Sequence, residues 1–285
     1  MQVAKFRAAD AQFTSGKRVR LMESADHGAV LSLIDDDRLP GQPATDPELI
    51  AGPAREGLAE MVTLVLADAA DSIVGVVSSA VRVSDATCLI GWLHGREDFE
   101  VLATLIAAAR ARFSLSRTLH AGTGAAQPAQ AVAFGMPGIA ERRRPAATRA
   151  LRAAGFTPAT SRIYFHRPLT PPPARPVFPL ADLQSLSDPA GMQLTLVETD
   201  GHPQATAVMH IKDDHWLLSH LAVRPDRRGR GIGSHLLALC LHTAHTRGAT
   251  SLIAHINVDD RASTQLLTSA GFTALDLLTV YHRRP

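Results

Sequence analysis

The sequence predicts an α/β (α+β) chain of two tandem units in which strands and helices alternate, and three observations carry that expectation. Arg228-Gly229-Arg230-Gly231-Ile232-Gly233 is a glycine-rich turn between an apolar strand-like run, 217–223, and a helical pattern, 234–241. Ala146 to Thr157 aligns without gaps to Ala262 to Thr273, and His166-Arg167 and His282-Arg283 keep the offset of the two glycines (271 − 155 = 116). Leu169-Thr170-Pro171-Pro172-Pro173-Ala174-Arg175-Pro176 separates the copies, because successive prolines forbid helix and cannot donate to a sheet ladder. The units are therefore 1–169 and 177–285, with 170–176 as a Pro-rich linker.

In the first unit the patterns predict a strand at 19–22, helices near 25–35 and 47–60, and strands at 61–67, 73–83 and 87–93. A helix at 98–112, a strand at 117–121, a helix at 147–154 and a strand at 161–167 complete it. The second unit has strands at 193–199 and 204–212 joined by the turn signal Asp200-Gly201, then a strand at 216–223. A helix at 233–247 stopped by Gly248, a strand at 250–256, a helix at 261–270 stopped by Gly271 and a closing strand at 277–282 follow. Before them, Val177 to Gln193 has room for a strand fragment and one helical turn at Leu180 to Leu186.

The glycine turn reads as an anion site. Alternate glycines remove Cβ atoms so that backbone N–H groups can converge, the helix start adds the positive end of its dipole, and Arg228 and Arg230 add charge. A nucleotide P-loop needs lysine after its last glycine, and Gly233 is followed by Ser234-His235. A dinucleotide fingerprint needs a different glycine spacing and a later acidic residue. The pattern present, Val223-Arg224-Pro225-Asp226-Arg227-Arg228-Gly229-Arg230-Gly231-Ile232-Gly233, resembles the pyrophosphate loop of the GNAT acyl-CoA-dependent N-acetyltransferases. Gly271-Phe272, between the last helix and the last strand, extends the resemblance.

That resemblance implies two GNAT-like domains, each a mixed, largely antiparallel twisted sheet flanked by helices, in a tandem arrangement similar to mycothiol synthase in architecture only. It implies acetyl-CoA as co-substrate and a primary amine of a small molecule as acceptor, with direct attack through a tetrahedral intermediate. The backbone of Leu221-Ala222-Val223 would hold the pantetheine arm and thioester oxygen. The pyrophosphate would lie over Arg228, Gly229, Arg230, Gly231, Ile232, Gly233 and Ser234, with Asn257 and Asp260 along the far side of the arm. Two family features are missing: the glutamate base expected two or four residues before Leu221 is Ser219 or Leu217, and the tyrosine acid four residues before Gly271 is Leu267. His220 is the nearest titratable group and Ser219 its neighbour; strand alternation would let only one of them face the cleft. They are the candidate catalytic residues.

Where the first unit should carry its own phosphate loop, it reads Trp92-Leu93-His94-Gly95-Arg96-Glu97-Asp98-Phe99-Glu100. The glycines are gone and carboxylates stand where an anion would bind, so this unit is expected to supply wall and lid, or scaffold alone, with His94 and Glu97 able to serve the other cleft if the two face each other. Arg142-Arg143-Arg144 reads as a solvated loop, and His242 and His245 as surface histidines without a third ligand, so no metal site is expected.

The formal net charge of +2 gives no global field for nucleic acid, which disfavours aminoacyl transfer from a charged tRNA. Two cysteines make no disulfide framework, and neither a signal segment nor a membrane-length apolar run is apparent. The expectation is a cytoplasmic monomer or homodimer without membrane partners. A non-catalytic acyl-CoA-binding or regulatory protein is the alternative to an enzyme.

Overall fold

A computed structural model describes residues 16–45, 57–113, 118–122, 138–173, 182–187, 190–198 and 200–285. The first half runs β1 (Arg18–Leu21), α1 (His27–Asp36), β2 (Leu58–Ala67), β3 (Ile73–Arg82), β4 (Cys88–His94), α2 (Phe99–Ala111), β5 (Leu119–Ala121), β6 (Ile139–Ala140), α3 (Pro145–Ala153) and β7 (Thr157–Pro168). The second runs β8 (Asp182–Ser187), β9 (Ala190–Val197), β10 (Pro203–Lys212), β11 (His215–Val223), α4 (Ile232–Thr246), β12 (Ser251–Asn257), α5 (Arg261–Ser269) and β13 (Thr273–Arg283). The expected helix near 47–60 lies largely outside the described residues, and its last three positions, 58–60, belong to β2. Of the strand fragment and helical turn expected between Val177 and Gln193, the described residues show the strand: 182–187 is β8, and the turn at Leu180 to Leu186 is corrected, because pairing with β9 satisfies the backbone in extended form.

The strands of the described residues join in one 13-stranded sheet, ordered β1-β2-β3-β4-β5-β13-β7-β12-β11-β10-β9-β8, with β6 paired to β13. Among the described residues only β4–β5 and β11–β12 are parallel, so the sheet is mixed and largely antiparallel, as the resemblance implies. The repeated strands have changed places. β13, the end of the second half, pairs with β5 of the first half, and β7, the end of the first half, pairs with β12 of the second. β7 and β13 pair with each other around Arg162 and Leu278 (278 − 162 = 116), so the sequence offset becomes a local two-fold through the sheet centre. The proline-rich boundary in the chain is therefore no boundary in the sheet.

Period-two alternation sorts the apolar residues to two faces. On one face, α2 and α3 bury Leu64, Ile90 and Tyr281, while α4 and α5 bury Phe165, Met209, Trp216 and Leu218. On the other face, α1 covers Val65, Val76 and Trp92. At the junction of the halves Leu39 from the loop after α1 packs with Tyr164, Leu217, Ile253 and Leu278. The Tyr164 hydroxyl donates to the Pro40 carbonyl at 2.7 Å, and a Cβ at Gly41 would collide with Ile253 and His166. The first half thus lays a strap, Leu39 to Gln42, across the second.

The exchange extends to the helix ends. Gly155 and Gly271 adopt the left-handed conformation that ends α3 and α5 without a Cβ penalty. Arg167 at the end of β7 donates to the Ala270 carbonyl of α5, and the Arg283 side chain lies against Gly155 after α3. The repeated His-Arg pairs are here explained: each half supplies the basic side chain at the other's helix terminus.

Phe165, at 1% exposure in the exchanged strand, is expected to cost about 3–5 kcal/mol when replaced by alanine. The two tryptophans, Trp92 and Trp216, report one half each. Denaturant curves of single-tryptophan variants in the Phe165→Ala background should shift together; a transition moving only at Trp216 would show that the halves unfold separately.

Candidate functional site

β11 and β12 run side by side only as far as the pair Leu218–Ala254. β11 continues to Val223 on β10 alone, so its backbone groups facing β12 are left without ladder partners and a cleft opens between the strands. Just before it, the register with β10 slips between Val208 and Met209, and Ser219 is the extra residue, its hydroxyl donating to the Val208 carbonyl at 3.2 Å. This bulge corrects the alternation expected for Ser219 and His220. Leu218, Leu221 and Val223 all pack toward α4, a step of three residues between the first two, so strict alternation fails there and cannot set Ser219 against His220. Both are exposed, and His220 lies across from Val208.

At the mouth of the cleft, Gly229 and Gly231 have positive φ, 74° and 77°, and Gly231 is the residue from which α4 starts. The first intrahelical bond is His235 N–H to Gly231, so the N–H groups of Ile232, Gly233 and Ser234 point out of the helix start. Arg224 and Arg227 are neutralised by Glu198 at 2.8 and 2.7 Å, and Arg224 also by Asp226 at 2.7 Å. Arg228 turns its Nε to the Val223 carbonyl at 3.1 Å, and neither it nor Arg230 forms an ion pair among the described residues. The loop therefore keeps uncompensated positive charge beside free N–H donors. A groove of about 360 Å³ runs from Ser234 between α4 and α5, past Ala238, Leu241, Leu266 and Ser269. Asn257 ends β12 exposed, and Asp260 caps α5, accepting from the Ser263 N–H at 2.9 Å. Leu267 is buried in the core.

The counterpart in the first half is filled by the protein itself. β4 slips against β3 as β11 does against β10, and the registers match Leu93 to Leu221. The Leu93 carbonyl accepts from the guanidinium of Arg144, which is only 2% exposed. The reading of Arg142-Arg143-Arg144 as a solvated run is thus corrected for Arg144: its Nε lies 3.1 Å from Asp37 and 3.4 Å from Glu97, carboxylates that offset its desolvation. Arg142 and Arg143 give their backbone N–H groups, each at 2.9 Å, to buried Asp276. Glu97 accepts from the Ala146 N–H at the start of α3, and Asp98 caps α2. His94 sits 2.6 Å from Asp37. Both His94 and Glu97 are committed within their own half.

Burial, with the nearby Arg144 charge, pushes the His94 imidazole down and keeps it neutral. Burial alone would raise the Asp37 carboxyl, but the hydrogen bond with His94 and the field of Arg144 outweigh it and hold it low.

Sequence patterns missed two side chains at the cleft, since neither belongs to a motif. His255 is the first β12 residue beyond the last β11 pair, and its Nε2 is buried without a hydrogen-bond partner. Tyr164 faces it from β7, the strand contributed by the first half, with ring centroids 5.3 Å apart. Among the described residues no three His, Cys, Asp or Glu side chains cluster as metal ligands would, and no helix is long and apolar enough to cross a membrane.

Residues 159–272 match the family model described as the acetyltransferase (GNAT) family. No curated protein matches the chain. Among solved structures, a GCN5-related N-acetyltransferase from Sphaerobacter thermophilus shares the fold at TM-score 0.66 and 15% identity, over 96% of this chain and 98% of that one. A tandem GNAT protein from the clavulanic acid biosynthesis pathway does so at TM-score 0.62 and 13% identity, over 93% and 98%. A putative acetyltransferase from Pyrococcus horikoshii aligns at TM-score 0.52 and 12% identity, over 96% and 91%.

Arg144→Met, which strands two carboxylates, should destabilise the protein by about 3–5 kcal/mol in denaturant titration; a loss below about 1 kcal/mol would mean that the buried network is not sustained. Stability should also fall on acidification. His94 has a lower pKa folded than unfolded, so below about 6.5 the unfolded chain takes up a proton that the fold refuses, whereas the Asp37 contribution is lost only below about 4. The melting temperature is therefore expected to drop between pH 7 and 5, less so in His94→Gln; equal slopes would remove His94 as the cause.

Proposed function

We propose that this chain, whose residues 159–272 belong to the GNAT acetyltransferase family, transfers an acetyl group from acetyl-CoA to a primary amine of a small molecule, using the cleft of its second half. The observation that carries the proposal is the cleft between β11 and β12, opening beside a helix start with free N–H groups and two uncompensated arginines. The donor set suits a pyrophosphate: Arg228, Arg230 and the N–H groups of Gly229 to Ser234 supply charge and convergent hydrogen bonds. The unpaired edge of Leu221 to Val223 offers backbone groups to an amide-bearing arm, and the groove along α4 leads away from the loop.

When bound, acetyl-CoA supplies an electrophilic thioester carbon. The protein must then hold an amine against it, let the ammonium proton leave, and offer hydrogen bonds to the developing oxyanion. The backbone of the bulge at Ser219 to Leu221 faces the last task, and exposed His220 provides an imidazole at the solvent side for the second. Overall the amine nitrogen bonds to the acetyl carbon and gives up a second proton to solvent, the carbon–sulfur bond breaks, and the thiolate takes up a proton from solvent. With Leu267 buried, solvent rather than a tyrosine is assigned that last proton.

Because Arg144 occupies the first-half slot, that half acts as wall and strap rather than as a second cofactor site.

Calorimetry should detect one acetyl-CoA per chain, and Gly231→Val, which forces a branched side chain into positive φ, should weaken binding at least about tenfold. A thiol-release assay over an amine panel should then show turnover. Binding without turnover on any amine would favour an acyl-CoA-binding regulatory protein, and two bound cofactors per chain would refute the division between the halves.

A further inference from the structure

On the sheet face away from α4, the cleft is flanked by groups that the reaction described above has not used. His255 and Tyr164 are cross-strand partners there, and Asn257 and Arg162 are the next pair along the same face. His255 and Arg162 are diagonal neighbours on adjacent strands, a spacing of roughly 7–8 Å, so their side chains begin within the length of a small molecule of each other. Neither is satisfied. His255 makes no hydrogen bond among the described residues, although its Nε2 is buried, and a buried unpaired nitrogen calls for a partner. Arg162 is exposed and forms neither ion pair nor side-chain hydrogen bond among the described residues.

We propose that the acceptor is a primary amine carrying an anionic group, a carboxylate or a phosphate, with its nitrogen held at His255 and its anion at Arg162. The inference rests on the acetyl-transfer reading of the cleft. Burial, helped by the charge of Arg162, lowers the His255 imidazole to about 4, so it is neutral near pH 7 and presents a lone pair to an ammonium N–H. A half-turn of the ring exchanges Nε2 with Cε1, so either edge can be offered to the cleft. The open cation at Arg162 attracts an anion from the same molecule, and a guanidinium fork suits both carboxylate and phosphate. Among the described residues on this face a second cation finds no matching carboxylate. Asp276, across from Tyr164 on this face of β13, is spent on the N–H groups of Arg142, Arg143 and Leu277. Polyamines are therefore disfavoured. Because Arg162 and Tyr164 belong to β7, the first half would select the acceptor for a reaction run in the second.

The test uses the full chain with acetyl-CoA and amines in matched pairs, β-alanine against its amide and phosphoethanolamine against ethanolamine, with putrescine as the dication. The anionic member of at least one pair should have a kcat/KM about tenfold or more above its neutral analogue, and the two anions together tell carboxylate from phosphate. Arg162→Gln should erase the preference while leaving the acetyl-CoA Kd within about twofold, and Arg162→Lys should keep part of it. His255→Asn should lower kcat/KM for both members of the pair about tenfold or more, again at unchanged Kd. Preference for the neutral amines or putrescine, a preference that survives Arg162→Gln, or full activity of a folded His255→Asn protein would overturn the proposal. Failure of the unaltered chain to bind acetyl-CoA would instead sink the reading of the cleft itself, since neither residue is assigned to the cofactor.

Discussion

The exchange of β7 and β13 is the constraint on which the rest of the molecule depends. A unit ending at its own proline boundary would leave β5 or β12 with an unpaired edge at its centre, where exposed N–H and C=O groups are most costly. Crossing the two closing strands satisfies both edges and fuses two small cores into one sheet with continuous packing on its helical face. It also carries Tyr164 and Arg162, residues of the first half, to the lip of the second-half cleft.

Within that frame the two slots have met opposite ends. Each half has a strand that slips in register and then departs from its parallel neighbour. In the second half the glycine loop leaves donors and charge exposed. In the first, every equivalent group has an internal partner: Arg144 takes the Leu93 carbonyl, Glu97 and Asp98 take helix-start N–H groups, and Asp37 holds both Arg144 and His94. A buried ion cluster of this kind contributes little net stability against an apolar filling but is expensive to break. It fixes the end of α1, and so the start of the strap that reaches the second half.

The parts of this architecture that follow from local rules were legible in the sequence. Glycine stops, apolar periodicity and the repeat located nearly every helix and strand, and the spacing of the Arg228 to Gly233 turn singled out the loop whose glycines take positive φ at the start of α4. What escaped was set by distant pairing. β8 is extended because β9 lies beside it, Arg144 is buried because carboxylates from α1 and from the start of α2 converge on it, and the bulge at Ser219 depends on the register with β10. His255 gave no signal, because a histidine inside an apolar strand reads as core until the neighbouring strand is seen to leave.

The pairing of β13 with β5 also dictates when the molecule can be completed. Tyr281 meets Ala121 across 160 positions of chain (281 − 121 = 160), so the strand that closes the first half is made after every other described strand. Until it arrives, β5 waits with an open edge, β7 waits for β12, and neither half can finish ahead of the other. Synthesis from N- to C-terminus therefore delivers no early, self-sufficient domain. The repeat marks two halves in the sequence that the sheet joins into one assembly, so a nascent protein of this design depends on the eleven-residue strand β13 to protect surface made long before.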